Sequence, residues 1–139
     1  FGIIILFSIT NIAFGQTDKE KALTKGQEAI KLMDNGKIQE SIKLLKEAEK
    51  LDPENFVYPY ELAYAHYIDK DYKVAIKILE KHKNHKDVSA ILFQLLGNSY
   101  DILGKTEKAF KAYDEGLEKS PNAGVLYLEK GNVYWKDRK

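Results

Sequence analysis

The chain has 139 residues, of which 44% are hydrophobic and 31% are charged, a mixture typical of one globular domain. Its 22 Lys and Arg nearly balance its 21 Asp and Glu, so no strong net charge favours binding to DNA or to an anionic membrane. The sequence contains no Cys, which excludes disulfides, thiol catalysis and Cys-bound zinc within these residues.

The first segment, residues 1–15, reads FGIIILFSITNIAFG and carries no charged side chain. It is too short to cross a bilayer as a helix, which needs roughly 20 residues. Ala13 and Gly15 place small residues where a secretory cleavage site before Gln16 requires them. We therefore interpret residues 1–15 as a signal-peptide-like segment and residues 16–139 as the folded domain. A buried element of the fold and a retained membrane anchor are the alternatives, and membrane association is expected only through this segment.

The same segment predicts that the protein is exported. The bacterial periplasm or cell envelope is the favoured destination, because the sequence lacks the Asn-X-Ser/Thr glycosylation sites that eukaryotic secreted proteins often carry. Secretion from the cell is the alternative.

From Ala22 onward the sequence repeats with a constant period and without a gap. Successive repeats are expected at about residues 22–55, 56–89 and 90–123, followed by a partial repeat at 124–139. One column of the repeat holds only tiny residues, namely Ala29, Ala63, Gly97 and Gly131. A second tiny column holds Ser41, Ala75 and Ala109. Tiny residues in both columns allow two antiparallel helices to approach closely.

Within each repeat the apolar residues follow a helical spacing, as with Ile38, Ile42 and Leu45. The pattern predicts helices at about 18–34, 38–51, 57–69, 72–84, 90–103, 106–119 and 124–136. Turn signals separate the paired helices at Asn35-Gly36, Asp69-Lys70-Asp71 and Leu103-Gly104. Asp71 and Thr106 are predicted to cap the helices that follow them.

The third repeat carries the residues Phe93, Leu96, Gly97, Tyr100, Gly104, Ala109, Phe110, Tyr113 and Pro121. In this pattern the chain resembles the tetratricopeptide repeat family over about residues 22–139. The resemblance implies an all-α fold in which antiparallel helix-turn-helix repeats stack into a right-handed superhelical solenoid. The second repeat departs from the pattern, with His82 and Asp87 where its neighbours have a small residue and Pro, so its second helix is expected to pack or end differently. The fourth repeat stops within its turn, which we interpret as a sign that the chain is a fragment of a longer protein.

In this family the first helices of successive repeats line a concave groove that binds peptides. By column, the resemblance assigns to this groove the candidate contacts Tyr60, Tyr64, Tyr67, Gln94, Asn98, Asp101, Asn132 and Trp135. It also assigns to the groove the first-repeat residues Leu23, Gly26, Ile30 and Met33. Tyr and Trp are enriched in binding hot spots, although packing against the next repeat is an equal alternative for any one of them. No groove column offers Lys or Arg, which disfavours the clamp by which family members bind the C-terminal carboxylate of chaperones.

No residues suggest catalysis or a metal site. His82 and His85 have a spacing that could share a metal, but no further ligands lie nearby and three lysines surround them. Known catalytic and phosphate-binding motifs are absent. The basic stretch from Lys73 to Lys86 lacks the aromatic or Arg platforms of nucleic-acid binders, so we interpret it as a solvated outer face, with an anionic partner as the alternative.

We therefore expect a non-enzymatic scaffold for a protein or peptide ligand. No catalytic residue, metal, small-molecule cofactor or nucleic-acid partner is predicted. One alternative is that the chain is the recognition portion of a longer enzyme or envelope-assembly protein whose active domain lies beyond residue 139. The other is a structural spacer whose groove binds nothing.

Overall fold

The computed structural model describes residues 16–138, and within that range it contains seven α-helices and no β-strand. The helices are α1 (Asp18–Asp34), α2 (Ile38–Leu51), α3 (Val57–Ile68), α4 (Tyr72–His82), α5 (Ala90–Ile102), α6 (Thr106–Lys119) and α7 (Gly124–Asp137). All seven predicted helices are present, and no predicted end differs from the observed one by more than two residues. The signal-peptide-like segment, residues 1–15, lies outside the described residues.

Helices that are adjacent in sequence pack against one another along the whole described chain. The helix pairs are α1 with α2, α3 with α4, and α5 with α6, and each pair stacks on the next. This arrangement confirms the predicted all-α solenoid of helix-turn-helix repeats. No described helix is both long enough and apolar enough to span a membrane.

The array is curved, with the first helices of the repeats on its inner side. Among the described residues, α1 contacts α3, α3 contacts α5, and α5 contacts α7. In contrast, no Cα atoms of α2, α4 and α6 approach one another within 8 Å. Since the first helices are closer together than the second helices, the exposed side of α1, α3, α5 and α7 is concave.

The turns inside the three complete repeats have the same backbone conformation. Gly36, Lys70 and Gly104 occupy one column of the repeat and have φ angles of 75°, 64° and 70°. Each turn is closed by a hydrogen bond in which the backbone amide of the residue after the left-handed position donates to a carbonyl in the last turn of the helix. These bonds run from Lys37 to Leu32 (2.8 Å), from Asp71 to His66 (2.8 Å) and from Lys105 to Tyr100 (2.9 Å). This is the Schellman arrangement, which satisfies carbonyl groups that the end of the helix leaves unpaired.

The turn geometry also decides which residue caps the following helix. The residue directly after the left-handed position is the N-cap, and Asp71 fulfils the prediction by accepting a hydrogen bond from the Val74 amide at 3.4 Å. The prediction for Thr106 was wrong. Lys105 occupies the N-cap position of α6 without a side-chain hydrogen bond, and Thr106 is already the first helical residue.

The two tiny columns are buried at the contacts between paired helices. Ala63, Ala75 and Ala109 are fully buried, as predicted, and Gly97 is buried against the ring of Tyr113. Gly131 lies in the same column as Gly97 but is exposed, and no neighbouring atom lies within 4 Å of where its Cβ would be. The column is therefore packed in α5, which α6 covers, and open in α7, which no later described helix covers.

The second repeat ends differently from its neighbours, as its sequence predicted. α4 has 11 residues, whereas α2 and α6 have 14 each. His82 is its last residue, and the ring of His85 stacks on Phe56 with the centroids 5.2 Å apart and an interplanar angle of 16°. Histidine and phenylalanine thus close the junction at which the other repeats have Pro53 and Pro121.

Candidate functional site

The concave groove, formed by the exposed sides of α1, α3, α5 and α7, contains most of the predicted contact residues. In α3 the buried residues Leu62 and Ala63 face the core. Val57, Glu61 and Tyr64, spaced i, i+4 and i+7, lie on the opposite face of the helix and point away from that core. Tyr64 is 39% exposed and is therefore accessible to a ligand.

A depression of about 170 Å³ lies in the groove between the second and third repeats. We call it the tyrosine depression, and its lining consists of Tyr60, Tyr64, Tyr67, Ile91, Gln94, Leu95 and Asn98. Five of the eight predicted contact residues therefore come together in one place. The tyrosines come from α3 and the amides from α5, so the depression exists only because the two repeats stack.

Both amide side chains of the tyrosine depression are oriented by neighbouring groups. The Tyr113 hydroxyl donates a hydrogen bond of 2.7 Å to Asn98 Oδ1. Gln94 Nε2 donates a hydrogen bond of 2.9 Å to Glu129 Oε1 on α7. Asn98 lines the depression, and its Nδ2 donors make no hydrogen bond with the described residues, so they are available to a ligand.

The other three predicted contacts lie nearer α7 and do not line the tyrosine depression. Asp101 accepts hydrogen bonds from Lys136 Nζ at 3.2 Å to both carboxylate oxygens. Asn132 makes a long contact of 3.5 Å with Glu129. Trp135 is 67% exposed. Asp101 is therefore committed to an ion pair across the repeat junction.

A second depression, of about 130 Å³, lies in the groove between the first and second repeats. We call it the apolar depression, and its lining consists of Leu23, Gly26, Gln27, Ile30, Leu45, Asn55, Val57, Tyr58 and Glu61. Leu23 and Ile30 are exposed there, as the column assignment predicted. Gly26 lines the depression although it is buried, and the Tyr58 ring lies so close to it that a Cβ would come within 2.7 Å of the ring. Met33 is buried and does not line the depression.

Two carboxylates at the groove were missed by the sequence reasoning. Glu61 lines the apolar depression, and Glu129 links Gln94 to Asn132. Both occupy one column of the repeat, with Gln27 and Leu95 as its other members. Reading that column as part of the groove would have found them.

Glu61 has an unusual environment for a carboxylate. It is partly buried, and it makes no hydrogen bond or ion pair with any described residue. Burial raises the pKa of Glu61, and the nearby carboxylate of Asp34 raises it further. Burial and the adjacent Glu61 raise the pKa of Tyr60 to about 12. Both shifts disfavour the ionised form of these acidic groups, mainly because the groups are partly buried.

Positive charge is concentrated elsewhere. No Lys or Arg lines either depression. In the basic stretch, Lys73, Lys77 and Lys81 are exposed on α4, whose position is on the outer side of the array. Lys83 is engaged by Glu115 at 2.8 Å and Glu80 at 3.1 Å, so it links repeats rather than remaining available to a partner.

The described residues contain no cluster of three or more His, Cys, Asp or Glu side chains that could hold a metal ion. His82 and His85, the pair considered for a metal, instead pack near the Phe56 ring.

Comparison with known proteins agrees with this architecture. Residues 90–123 match the family model described as "Tetratricopeptide repeat", and these are the residues of the third predicted repeat. None of the curated proteins matches the chain.

Several solved structures share the fold, and tetratricopeptide repeat domains are among them. The first such domain of Spaghetti (RPAP3), solved with the HSP90 peptide SRMEEVD, is 25% identical, with 89% of this chain and 98% of that chain covered and a TM-score of 0.78. A structure of MamA is 26% identical, with 84% and 68% covered and a TM-score of 0.74. The Sgt2 domain from Aspergillus fumigatus is 17% identical, with 89% and 83% covered and a TM-score of 0.78, which is similarity of fold alone. The third repeat therefore matches a tetratricopeptide repeat in sequence, and the described helices share the fold of solved domains of that kind.

Proposed function

We propose that this tetratricopeptide repeat chain is a non-enzymatic scaffold that binds a protein or peptide in its concave groove. The observation that carries the proposal is the tyrosine depression, where α3 and α5 bring three aromatic rings and two amides together on the inner face. The fold supports it as well, because a domain of the same fold, the RPAP3 domain, was solved with a peptide bound.

The chemistry of the tyrosine depression suits a peptide. Tyrosine rings offer a large contact area with few rotatable bonds, so they lose little conformational entropy when a ligand binds. Amide groups can pair with the peptide backbone, and Asn98 is held in place for this by Tyr113. A group that is already oriented binds more tightly because less ordering is needed on association.

The test is to select binders from a random peptide library with free C termini and to measure their affinity for variants. Tyr64→Ala should weaken binding by about 1–2 kcal/mol if Tyr64 is an anchor. Tyr127→Ala is the matched control, since Tyr127 is 56% exposed on α7 but belongs to no groove column.

Substitutions on the outer face test the alternative that the ligand binds α4 and not the groove. Lys77→Ala with Lys81→Ala should change binding little at physiological ionic strength, where exposed charges are screened beyond roughly 8 Å. Binding that survives Tyr64→Ala and is lost with the lysine pair would place the site on α4. A library that yields no binder sensitive to Tyr64→Ala would refute groove binding.

We also propose that the protein is exported to the bacterial envelope, with cleavage before Gln16. The proposal rests on the composition of residues 1–15, and the local structure of the described chain is compatible with it. Thr17 caps α1, accepting from the Glu20 amide at 3.2 Å while Glu20 accepts from the Thr17 amide at 2.7 Å. Cleavage before Gln16 would leave this capping box intact.

The export proposal is tested by expressing the protein with its native start and sequencing the N terminus of the product. We expect a mature chain that begins at Gln16 or within a few residues of it. An uncleaved chain in the membrane fraction would support the anchor alternative instead.

A further inference from the structure

We infer that the concave groove is selective for a basic amphipathic peptide, in which a Lys or Arg side chain lies close to an aliphatic or aromatic one. This inference rests on the proposed function and specifies the chemistry of its partner.

The first argument is that the two depressions flank the same helix, α3. Tyr60 lines the tyrosine depression and Glu61, the next residue on α3, lines the apolar depression. A peptide that runs along the groove therefore meets aliphatic side chains of α1, a carboxylate, and then tyrosine rings. An apolar peptide residue fits the first part, where Leu23, Ile30 and Val57 are exposed.

The second argument is charge. Glu61 has no cationic partner among the described residues, and Asp34 lies near enough to influence it. Glu129 adds a further carboxylate at the other side of the tyrosine depression, where it accepts the Gln94 hydrogen bond. Lys136 on α7 already pairs with Asp101. A peptide cation would therefore supply the charge that the groove lacks.

The third argument concerns the aromatic rings. Lys and Arg interact favourably with the faces of tyrosine rings, and this attraction grows when water is excluded. Tyr60, Tyr64 and Tyr67 line one depression, and Glu61, which follows Tyr60 on α3, lines the other. A cation that pairs with Glu61 on the Tyr60 side would therefore lie near a tyrosine ring. The two interactions would act on the same side chain.

An acidic peptide would meet the opposite situation. The peptide SRMEEVD bound to the RPAP3 domain contains three acidic side chains. In the present groove such a peptide would face Glu61 and Glu129 without any Lys or Arg lining the depressions. Like charges placed against each other across an interface weaken association and exclude wrong partners.

The experiment uses the same random peptide library with free C termini and compares the composition of the selected sequences with that of the starting library. We expect enrichment of Lys or Arg next to aliphatic or aromatic residues among binders that Tyr64→Ala weakens. Groove binders enriched in Asp, Glu or an acidic C terminus would overturn the inference and leave the proposed function standing. The absence of any binder sensitive to Tyr64→Ala would overturn both.

The role of Glu61 is then measured with one selected basic peptide. Glu61→Gln should weaken its binding roughly tenfold, which corresponds to about 1.4 kcal/mol, and the remaining affinity should depend less on salt. Glu118→Gln on α6 removes the same charge from an exposed position outside the groove and should leave the affinity unchanged. Thermal unfolding followed by circular dichroism verifies that both variants are folded. Equal affinities for wild type and Glu61→Gln would refute the placement of the cation.

Discussion

The contact between Gly97 and Tyr113 gives the sharpest test of how the repeats pack. A Cβ added to Gly97 would lie 2.2 Å from Tyr113 Cε1 and 2.5 Å from Cζ, far inside normal contact distances. The ring cannot simply swing outward, because Tyr113 is fully buried and its hydroxyl is bonded to Asn98. Gly97→Ala must therefore displace either the ring or the helix α5.

The expected cost follows from three contributions. Overpacking a well-packed core typically costs about 1–3 kcal/mol. Loss of the Tyr113–Asn98 hydrogen bond, if the ring moves, adds about 1 kcal/mol. Replacing Gly by Ala inside a helix raises the free energy of unfolding by up to about 1 kcal/mol, which offsets part of this cost. We therefore expect Gly97→Ala to lower the free energy of unfolding by ~1–3 kcal/mol.

The chain offers a matched control in the same repeat column. Gly131 is also helical, but its Cβ position is open, so Gly131→Ala should keep only the favourable helix contribution, up to ~1 kcal/mol. Both free energies are measured by urea unfolding followed by circular dichroism. In the double variant Gly97→Ala with Tyr113→Leu, part of the loss should be recovered, because the ring that the new methyl group strikes is gone. Equal stability changes at Gly97 and Gly131 would refute the reasoning.

Two further predictions concern the turns and the buried phenols. Lys70→Gly should raise the free energy of unfolding by up to ~1 kcal/mol. A side chain in the left-handed region costs about 1–2 kcal/mol, and the greater chain entropy of unfolded Gly offsets roughly 0.4–1 kcal/mol of the gain. The reciprocal variant Gly104→Lys should lower the free energy of unfolding, and urea unfolding of both variants checks the signs. Burial raises the pKa of both Tyr60 and Tyr100 from 10.0 to about 12. The unfolded phenols therefore release their protons at a lower pH than the folded ones. The stability that these two tyrosines contribute should be complete below pH 10 and should be lost as the pH rises toward 12. Urea unfolding at successive alkaline pH values, together with tyrosinate absorbance, measures this loss, and a stability that stays constant over this pH range would contradict it.

The helices and turns could be predicted from the sequence because the repeat supplies several readings of each position. Gly36 and Gly104 indicate a left-handed residue, and the constant period transfers that conformation to Lys70, which alone would not suggest it. The same period also explains the error at Thr106. Its hydroxyl makes it a good cap by residue type, but the repeat places the N-cap one position earlier, at Lys105.

The groove was only partly predictable. Columns correctly indicated that the tyrosines and amides share one face, because each helix keeps its orientation from repeat to repeat. They could not indicate which of these side chains are engaged by other repeats. The Asp101–Lys136 and Gln94–Glu129 contacts join residues 35 positions apart, and their existence depends on how far one repeat is rotated against the next.

Side-chain volume connects the core to the groove. The first tiny column and the column of Leu45, Leu79 and Tyr113 compensate each other: Ala29 lies in one cluster with Leu45, Ala63 in one with Leu79, and Gly97 beneath Tyr113. Among the three complete repeats, only the third has Gly at the small position, and there the large residue is a tyrosine whose ring packs on α5 and whose hydroxyl reaches Asn98. A hydrocarbon side chain at this position would fill the same core but would leave the amide free to rotate. The glycine that makes room for the ring therefore also sets the orientation of a groove side chain, so packing and recognition in this repeat depend on the same contact.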